Sequence, residues 1–598
     1  MAEICGMVFN SHNKDKYIKY FERMKSELSQ IDSFKIIFEK FYNNYIFTIK
    51  YHRNDTINQL YYEINKIYLI SIGLKVILNN VDGKLNFSNI ENTLKALNIE
   101  NIEPPFIIFI YDFKNNSILI INDQYGLVPL YYTKTKNRFI YSTKLNPLVK
   151  RQGYSYEFDK KAILDFFTYG HLTGQKTFIK EAFLMPPGSW LLYKKGRITK
   201  GIYRNFFSVL SYYNKNNYDI NPKHLFDLLS SSVSNRILNR NKVGVSLSGG
   251  LDSRAILGVL LKQRSDINTF TFGNENCRDV IIAKKISKEF GLKHRTVDLD
   301  GSYLLKWLKH GTFITSGMVS CDQYHILQLV DVIKNEIDVI LDGLCGDAIT
   351  GGHLSSNMFK SKSSVFAAEL VYINRAVVTK SSEIRKSIFN KEFLNEMSYA
   401  PEDSIKEHFK KLNKKPIWWG CHLFDIFERQ RRFIQFGPHQ LRPFVDVQTP
   451  FYNNKLIDYM GSLPSYYLKN QNLYFKMYRN NLKELAKIND SARNLPIAYP
   501  DYIRYSKRVF DFTRRRLPEF VKRKITFDIE SPFNYADWFR TSLRELVMDS
   551  IVGSNVLFDG IFEKKIIFNI IDEHMKFKKD NSPIIACLLT FSTWKESL

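Results

Sequence analysis

The chain has 598 residues, too many for one hydrophobic core, and two domains of ordinary size accommodate it. Its 86 basic and 60 acidic residues give a formal charge of +26, which raises polyanions as partners. The excess is spread through a chain rich in Lys, Asn, Ile, Tyr and Phe, however, and no DNA- or RNA-reading motif accompanies it, which argues against nucleic acid. No run is apolar enough to cross a membrane, the N-terminus lacks a signal-type sequence, and six scattered cysteines without a CxxC pair fit neither a disulfide framework nor a zinc site; the expected setting is the cytoplasm.

In chain order, the sequence opens MAEICGMVF, with its first cysteine at Cys5. Loss of Met1 would expose Ala2, so Cys5 reads as a small buried strand residue without a free amine of its own. A strand is expected at Phe139 to Lys144, and the polar stretch Ser211 to Asn221 suits a linker. The resulting division is 1–205, a linker 206–222, and 223–598.

Short strands and amphipathic helices then alternate, the pattern of a doubly wound parallel sheet. Val243 to Leu247 reads as the first strand and Ser253 to Lys262 as its helix; Thr269 to Phe272 is a second strand ending at Gly273; Val280 to Phe290 is a helix closed by Gly291; Arg295 to Leu299 and Ile337 to Leu341 are further strands. Beyond Pro500 the pattern is helical. The three-residue basic clusters from Arg514 to Arg516 and from Lys522 to Lys524 fall in that part.

The string SLSGGLDSR, Ser246 to Arg254, joins the first strand to its helix. Gly249 and Gly250 let backbone N–H groups come close to an anion, Ser248 and Ser253 add hydroxyls, and the helix start adds partial positive charge. This is a phosphate cradle without the spacing or lysine of GxxxxGK[ST]. Asp252 would repel phosphate unless a cation lay between them, so the loop implies Mg²⁺ beside a nucleotide. Ligands of such sheets bind past the carboxyl ends of the strands, which should bring Asp252 to face Asp347 of the later string DGLCGDAITGG, Asp342 to Gly352.

Both strings resemble signatures of the asparagine synthetase family: SGGLDS is similar to its pyrophosphatase loop, and DGLCGDAITGG to its SGEGADExFGG. The resemblance implies an α/β chain: an αββα sandwich of the N-terminal nucleophile type, then a doubly wound ATP-pyrophosphatase domain with a helical C-terminal part. It further implies ATP and Mg²⁺, with Asp252 and Asp347 on the metal and Leu247, Phe272, Gly273, Asp342 and Gly343 flanking the nucleotide beside Ser248, Gly249, Gly250 and Ser253. Leu344 and Ala348 stand where the family has acidic residues, one of them tied to aspartyl-adenylate formation, so the resemblance implies ATP chemistry more firmly than aspartate as substrate.

Downstream, ERQRRFIQF (Glu428 to Phe436), TPFYNNKLIDYMGSLP (Thr449 to Pro464) and KNQNLYFKMYR (Lys469 to Arg479) resemble the family's RxPFLDxxLVEFxxSLPxxxK segment. They imply a catalytic lysine, Lys476, with Lys469 as the alternate because the family's lysine-to-arginine spacing is one residue longer than Lys476 to Arg479. Arg432 is open between a phosphate contact and a pairing on its own helix. IINDQYGLVPLYY (Ile120 to Tyr132), FIYSTK and MPPGSWLLYKKG (Met185 to Gly196) are similar to strings of the family's glutamine amidotransferase domain. The position of Cys5, and the absence of glutamine-binding strings in 71–89, argue against a working glutaminase.

The expected activity is therefore amide formation through an acyl-adenylate, with a small-molecule or peptide carboxylate, an amine or ammonia, and a homodimer left open. The alternatives are a macrolactam synthetase of lasso-peptide or β-lactam type and, from another class, a nucleotide-binding regulatory paralogue without turnover.

Overall fold

The computed structural model describes residues 3–9, 14–28, 36–42, 45–51, 57–62, 67–73, 85, 87–135, 138–149, 156–206, 220–379, 381–395, 398–412, 416–514, 533–554 and 556–598. Most of the expected linker, much of 71–89 and the basic clusters past Arg514 lie outside them.

Twelve strands, β1 (Glu3–Phe9), β2 (Ile36–Tyr42), β3 (Tyr45–Tyr51), β4 (Ile57–Tyr62), β5 (Ile67–Gly73), β6 (Phe106–Asp112), β7 (Ser117–Asn122), β8 (Tyr131–Lys134), β9 (Arg138–Ser142), β10 (Ala182–Leu184), β11 (Ser189–Lys194) and β12 (Arg197–Ile202), form two six-stranded sheets. Their orders are β10-β8-β9-β1-β3-β2 and β12-β11-β7-β6-β5-β4. Alternation along each strand sets the layers. Ile4 and Val8 of β1 and Phe47 of β3 meet Tyr68, Ile107, Phe109 and Tyr111 between the sheets, where the hydroxyls of Tyr111 and Tyr141 lie 2.6 Å apart. Cys5, Met7 and Phe9 point the other way, against Phe21 and Met24 of the helix Lys14–Leu28 and Phe166 of the helix Lys160–Tyr169. Outside the second sheet, Ile108, Ile110, Leu119 and Ile121 cover Leu94 of the helix Ile90–Ala96. The αββα sandwich follows from these faces.

The second half is built on a five-stranded parallel sheet, β15-β14-β13-β16-β17, from β13 (Val243–Ser246), β14 (Ile267–Phe272), β15 (Lys293–Val297), β16 (Val339–Leu341) and β17 (Asp446–Gln448). The four expected strands are present, shifted by a residue or two. The fifth, β17, has three residues, too few for a period-2 signal, and exists because its Val447 pairs with Ile340 of β16. The order reverses at β13, so the β13/β16 crevice is the topological switch point where ligands of open parallel sheets bind.

The halves share one core. An apolar cluster runs from Cys5 and Phe167 through Phe313 to Phe562 and Trp594, the last on the buried helix Ser582–Glu596. Among the described residues no helix is long and apolar enough to span a membrane.

Candidate active site

Two loops meet over the switch point. The first leaves β13 and enters the helix Leu251–Leu260, whose N-cap is Gly250 with no side chain capping it. The second leaves β16 and enters the short helix Gly346–Thr350. Asp347 donates its backbone N–H to Asp252 Oδ2 at 2.6 Å, and Tyr474 donates its hydroxyl to Asp252 Oδ1 at 3.0 Å. Glycines permit the approach: a Cβ on Gly343 would lie 2.7 Å from Ser253 N, and one on Gly346 would lie 2.7 Å from Asp252 Oδ1. The two acids named from sequence are thus brought together.

Electrostatics follow from that meeting. Burial and the neighbouring Asp347 push Asp252 up to about 8. Burial also raises Asp347, with Asp425 adding to the rise and His353, Arg429 and Arg493 opposing it. Behind Asp347, burial disfavours ionised Asp425, yet His353, Arg375 and Arg429 hold it below the usual carboxylate range. Asp425 pairs with Arg375 and lies 4.0 Å from His353 Nδ1.

These residues fit a magnesium ion. The donors are oxygens, and two mutually repelling carboxylates are relieved by a divalent cation, with waters and phosphate oxygens filling the remaining positions as Mg²⁺ prefers. Among the described residues there is no group of three or more His, Cys, Asp or Glu that would hold a metal without such help.

The glycine loop differs from its sequence-level picture. Ser248 N–H donates to Ser253 Oγ at 3.1 Å, Gly249 N–H to Asp279 Oδ1 at 3.0 Å, and Gly250 N–H to Ser248 Oγ at 3.1 Å. These three donors are engaged within the protein, so the uncapped first turn of the helix Leu251–Leu260 is the readier anion contact. Arg254, fully buried, fastens the loop from below by donating to Gly249 O at 3.0 Å, Ile488 O at 2.9 Å and Asn489 O at 2.8 Å.

The residues expected to flank a nucleotide lie at or just past the carboxyl ends of β13, β14 and β16. Leu247 is buried and its N–H donates to Phe270 O at 2.8 Å. Phe272 sits 5.0 Å from the His325 ring, and Gly273, at φ +142, donates to Val297 O at 3.0 Å. Asp342 turns inward: burial pushes it up to about 6 while Leu344 N–H and the Ser246 hydroxyl hold it. Leu344 and Ala348 are buried apolar residues.

Lys476 is on the helix Asn472–Asn481 that brings Tyr474 to Asp252, but its Nζ lies 6.0 Å from the Tyr466 ring centroid, and its charge acts on Asp501. Lys469 lines a cavity together with Tyr466, Phe475 and Arg493. Arg432 takes neither role open to it in sequence: buried, it donates to Leu172 O at 3.2 Å and Lys176 O at 2.7 Å. Sequence reasoning missed Tyr474, Asp279, Arg493 and the His353–Asp425 pair. Only Tyr474 carried a local signal, its i, i+4 spacing from Tyr478, which donates to Leu251 O.

Cys5 lies inside β1, opposite Thr48 of β3 and Ser142 of β9. Its side chain is fully buried, and burial pushes the thiol well above its ordinary range.

The fold and the site define a two-part α/β protein with paired acids at the switch point of a parallel sheet. A family profile for asparagine synthase matches residues 224–419, and one for a glutamine amidotransferase domain matches residues 95–204. The chain belongs to the asparagine synthase family. It is 21% identical over 452 residues to glutamine-hydrolysing asparagine synthetase 3 of Bacillus subtilis, covering 70% of this chain and 68% of that protein. To synthetase 2 of the same organism it is 20% identical over 467 residues, covering 72% and 60%. Among solved structures it is similar to an NH3-dependent NAD synthetase from Campylobacter jejuni, at 12% identity and a TM-score of 0.20 over 34% of this chain and 93% of that one, a likeness too slight to carry an argument.

Proposed function

We propose that this chain is an ATP-dependent amide ligase, in which a substrate carboxylate attacks the α-phosphorus of ATP, the bond to the β-phosphate breaks, and a nitrogen nucleophile then displaces AMP from the acyl-adenylate. The observation that carries this reading is the meeting of Asp252 and Asp347 at the ends of neighbouring strands β13 and β16. Asp252 and Asp347 would hold Mg²⁺, which when bound neutralises charge developing on departing pyrophosphate. The uncapped first turn of the helix Leu251–Leu260 would take phosphate oxygens, Tyr474 orients Asp252, and Leu247, Phe272 and the backbone at Asp342-Gly343 would flank adenosine.

Leu344 and Ala348, both apolar and buried, offer no acid at those two positions, which favours a carboxylate other than free aspartate. Cys5, an interior strand residue with a buried thiol, supports a nitrogen source other than glutamine hydrolysed in the N-terminal half. That second observation favours macrolactam formation as the particular form of the reaction, since ring closure draws its amine from the substrate itself.

The test is ATP–pyrophosphate exchange against a panel of carboxylates that includes aspartate and linear peptides, with product masses measured for those that support it. Asp252→Asn and Asp347→Asn are each expected to lower exchange by at least about a thousandfold while leaving the folded state intact by circular dichroism. Unchanged exchange in both variants would remove these acids from the chemistry.

A further inference from the structure

A cavity of about 550 Å³ lies at the seam between the two halves, and its lining contains no residue of the glycine loop or of the loop that carries Asp347. The sandwich supplies one wall, through residues between Thr173 and Phe206. The other comes from the helix Pro401–Lys410 and the helical segment Asp425–Ile434. Aromatic rings give the space an apolar body. Phe206 and Phe427 are buried, with centroids 4.9 Å apart. Tyr399 adds a third ring, with Lys176 Nζ 5.0 Å and Lys161 Nζ 5.5 Å from its centroid.

The charges on these walls are unequal. Lys176 is matched by Asp165 at 2.6 Å and Arg204 by Asp458, whereas Lys161, Lys411 and Arg431, which also line the cavity, have no ion pair among the described residues. The acids of the lining are Glu407 and Glu428. Glu428 already accepts the Gly174 N–H at 2.6 Å, and Glu407 is exposed, four residues before the exposed Lys411 whose charge it offsets. Burial pushes His408 down to about 4, so it adds no charge at neutral pH. Arg431 is only 6% exposed; it donates to Met185 O at 2.6 Å, and its Nε has no hydrogen-bond partner among the described residues. Burial and the like charge of Arg432 push it down to about 10. A guanidinium buried without an acid is costly. An anionic group entering the cavity relieves that cost, while an apolar part attached to it covers Phe206 and Phe427.

We infer that this cavity is a second binding site, separate from the paired acids, for a small organic anion with a flat apolar body. Its acidic group meets Arg431 with Lys161 and Lys411, and its rings lie on Phe206 and Phe427. The site is seated on the same helical segment as Asp425, the acid behind Asp347. It stands whether or not the ligase reading does.

The test titrates anilinonaphthalene sulfonate into the full-length protein by fluorescence, beside phenylnaphthylamine, which has the same rings without the charge. The wild type is expected to bind the sulfonate at least about tenfold more tightly than the neutral dye, and magnesium ATP is expected not to displace it. Arg431→Gln should bind the sulfonate about tenfold more weakly. Lys161→Gln combined with Lys411→Gln, two exposed positions that the fold does not need, should weaken it about threefold. Lys386→Gln, a loss of exposed charge outside the cavity, should match the wild type. If circular dichroism shows Arg431→Gln unfolded, the lysine pair decides. Equal affinity for the two dyes, wild-type affinity in folded Arg431→Gln or in the lysine pair, or displacement by magnesium ATP overturns the inference and leaves the ligase reading untouched.

Discussion

Asp252 is the residue on which most of the chemistry turns, and its ionisation can be followed without knowing the substrate. In the folded protein its carboxyl is raised from an ordinary 3.8 to about 8. Between those values the folded state keeps a proton that the unfolded chain has released, so rising pH costs stability through this window. Below about pH 4 both states are protonated and the cost vanishes; above about 8 it is complete. Asp252→Asn should therefore melt higher than the wild type in EDTA at pH 8, with the gap closing as pH falls toward 5. A gap that does not change with pH, measured by thermal denaturation, would contradict the burial and like-charge origin of the shift. Asp252 and Asp347 were both legible in sequence because each follows a strand and sits among glycines. Arg493 was not: its place on the Phe475 ring is a tertiary contact, which no local property announces.

At the scale of elements, the site is two strand-to-helix turns pressed together, and glycine is what allows it. A methyl group at Gly346 would occupy the space of the Asp252 side chain, 2.7 Å from Oδ1 and 2.8 Å from Cβ. Gly346→Ala is expected to cost about 1–3 kcal/mol in stability and, by displacing Asp252, to lower exchange by about a hundredfold; chemical denaturation together with the exchange assay checks both. The strand and helix signals of β13 to β16 were readable because each element carries its own apolar periodicity. The short β17 was not, since three residues become a strand only through their partner. The glycine loop was readable in outline but not in its bonding, because Asp279 and Arg254 reach it through tertiary contacts.

Over the whole molecule, the division drawn from sequence motifs meets a continuous core. Trp594, near the C-terminus, is fully buried and lies 4.8 Å from the ring of Phe178 and 6.3 Å from that of Phe158. Gln435 and Arg442 both donate to Leu127 O, at 2.6 and 2.9 Å, and Arg431 donates to Met185 O at 2.6 Å. Burial and hydrogen bonding at this density tie the sandwich to the parallel-sheet half. Trp594→Ala is expected to cost about 3–5 kcal/mol and to lower the melting of both halves together, as one calorimetric transition; two separated transitions would show that the shared cluster does not couple them.

The amino-acid sequence by itself determined the strand and helix order from β13 to β16, the two signature loops and the two acids they carry, because periodicity, glycine placement and charge act within a few residues of chain. Only the tertiary structure decided what surrounds those acids: the Tyr474 hydroxyl on Asp252, the His353–Asp425 pair behind Asp347 and the Arg493 guanidinium on the Phe475 ring. These depend on which distant segments share a space, and therefore on the packing of the whole chain.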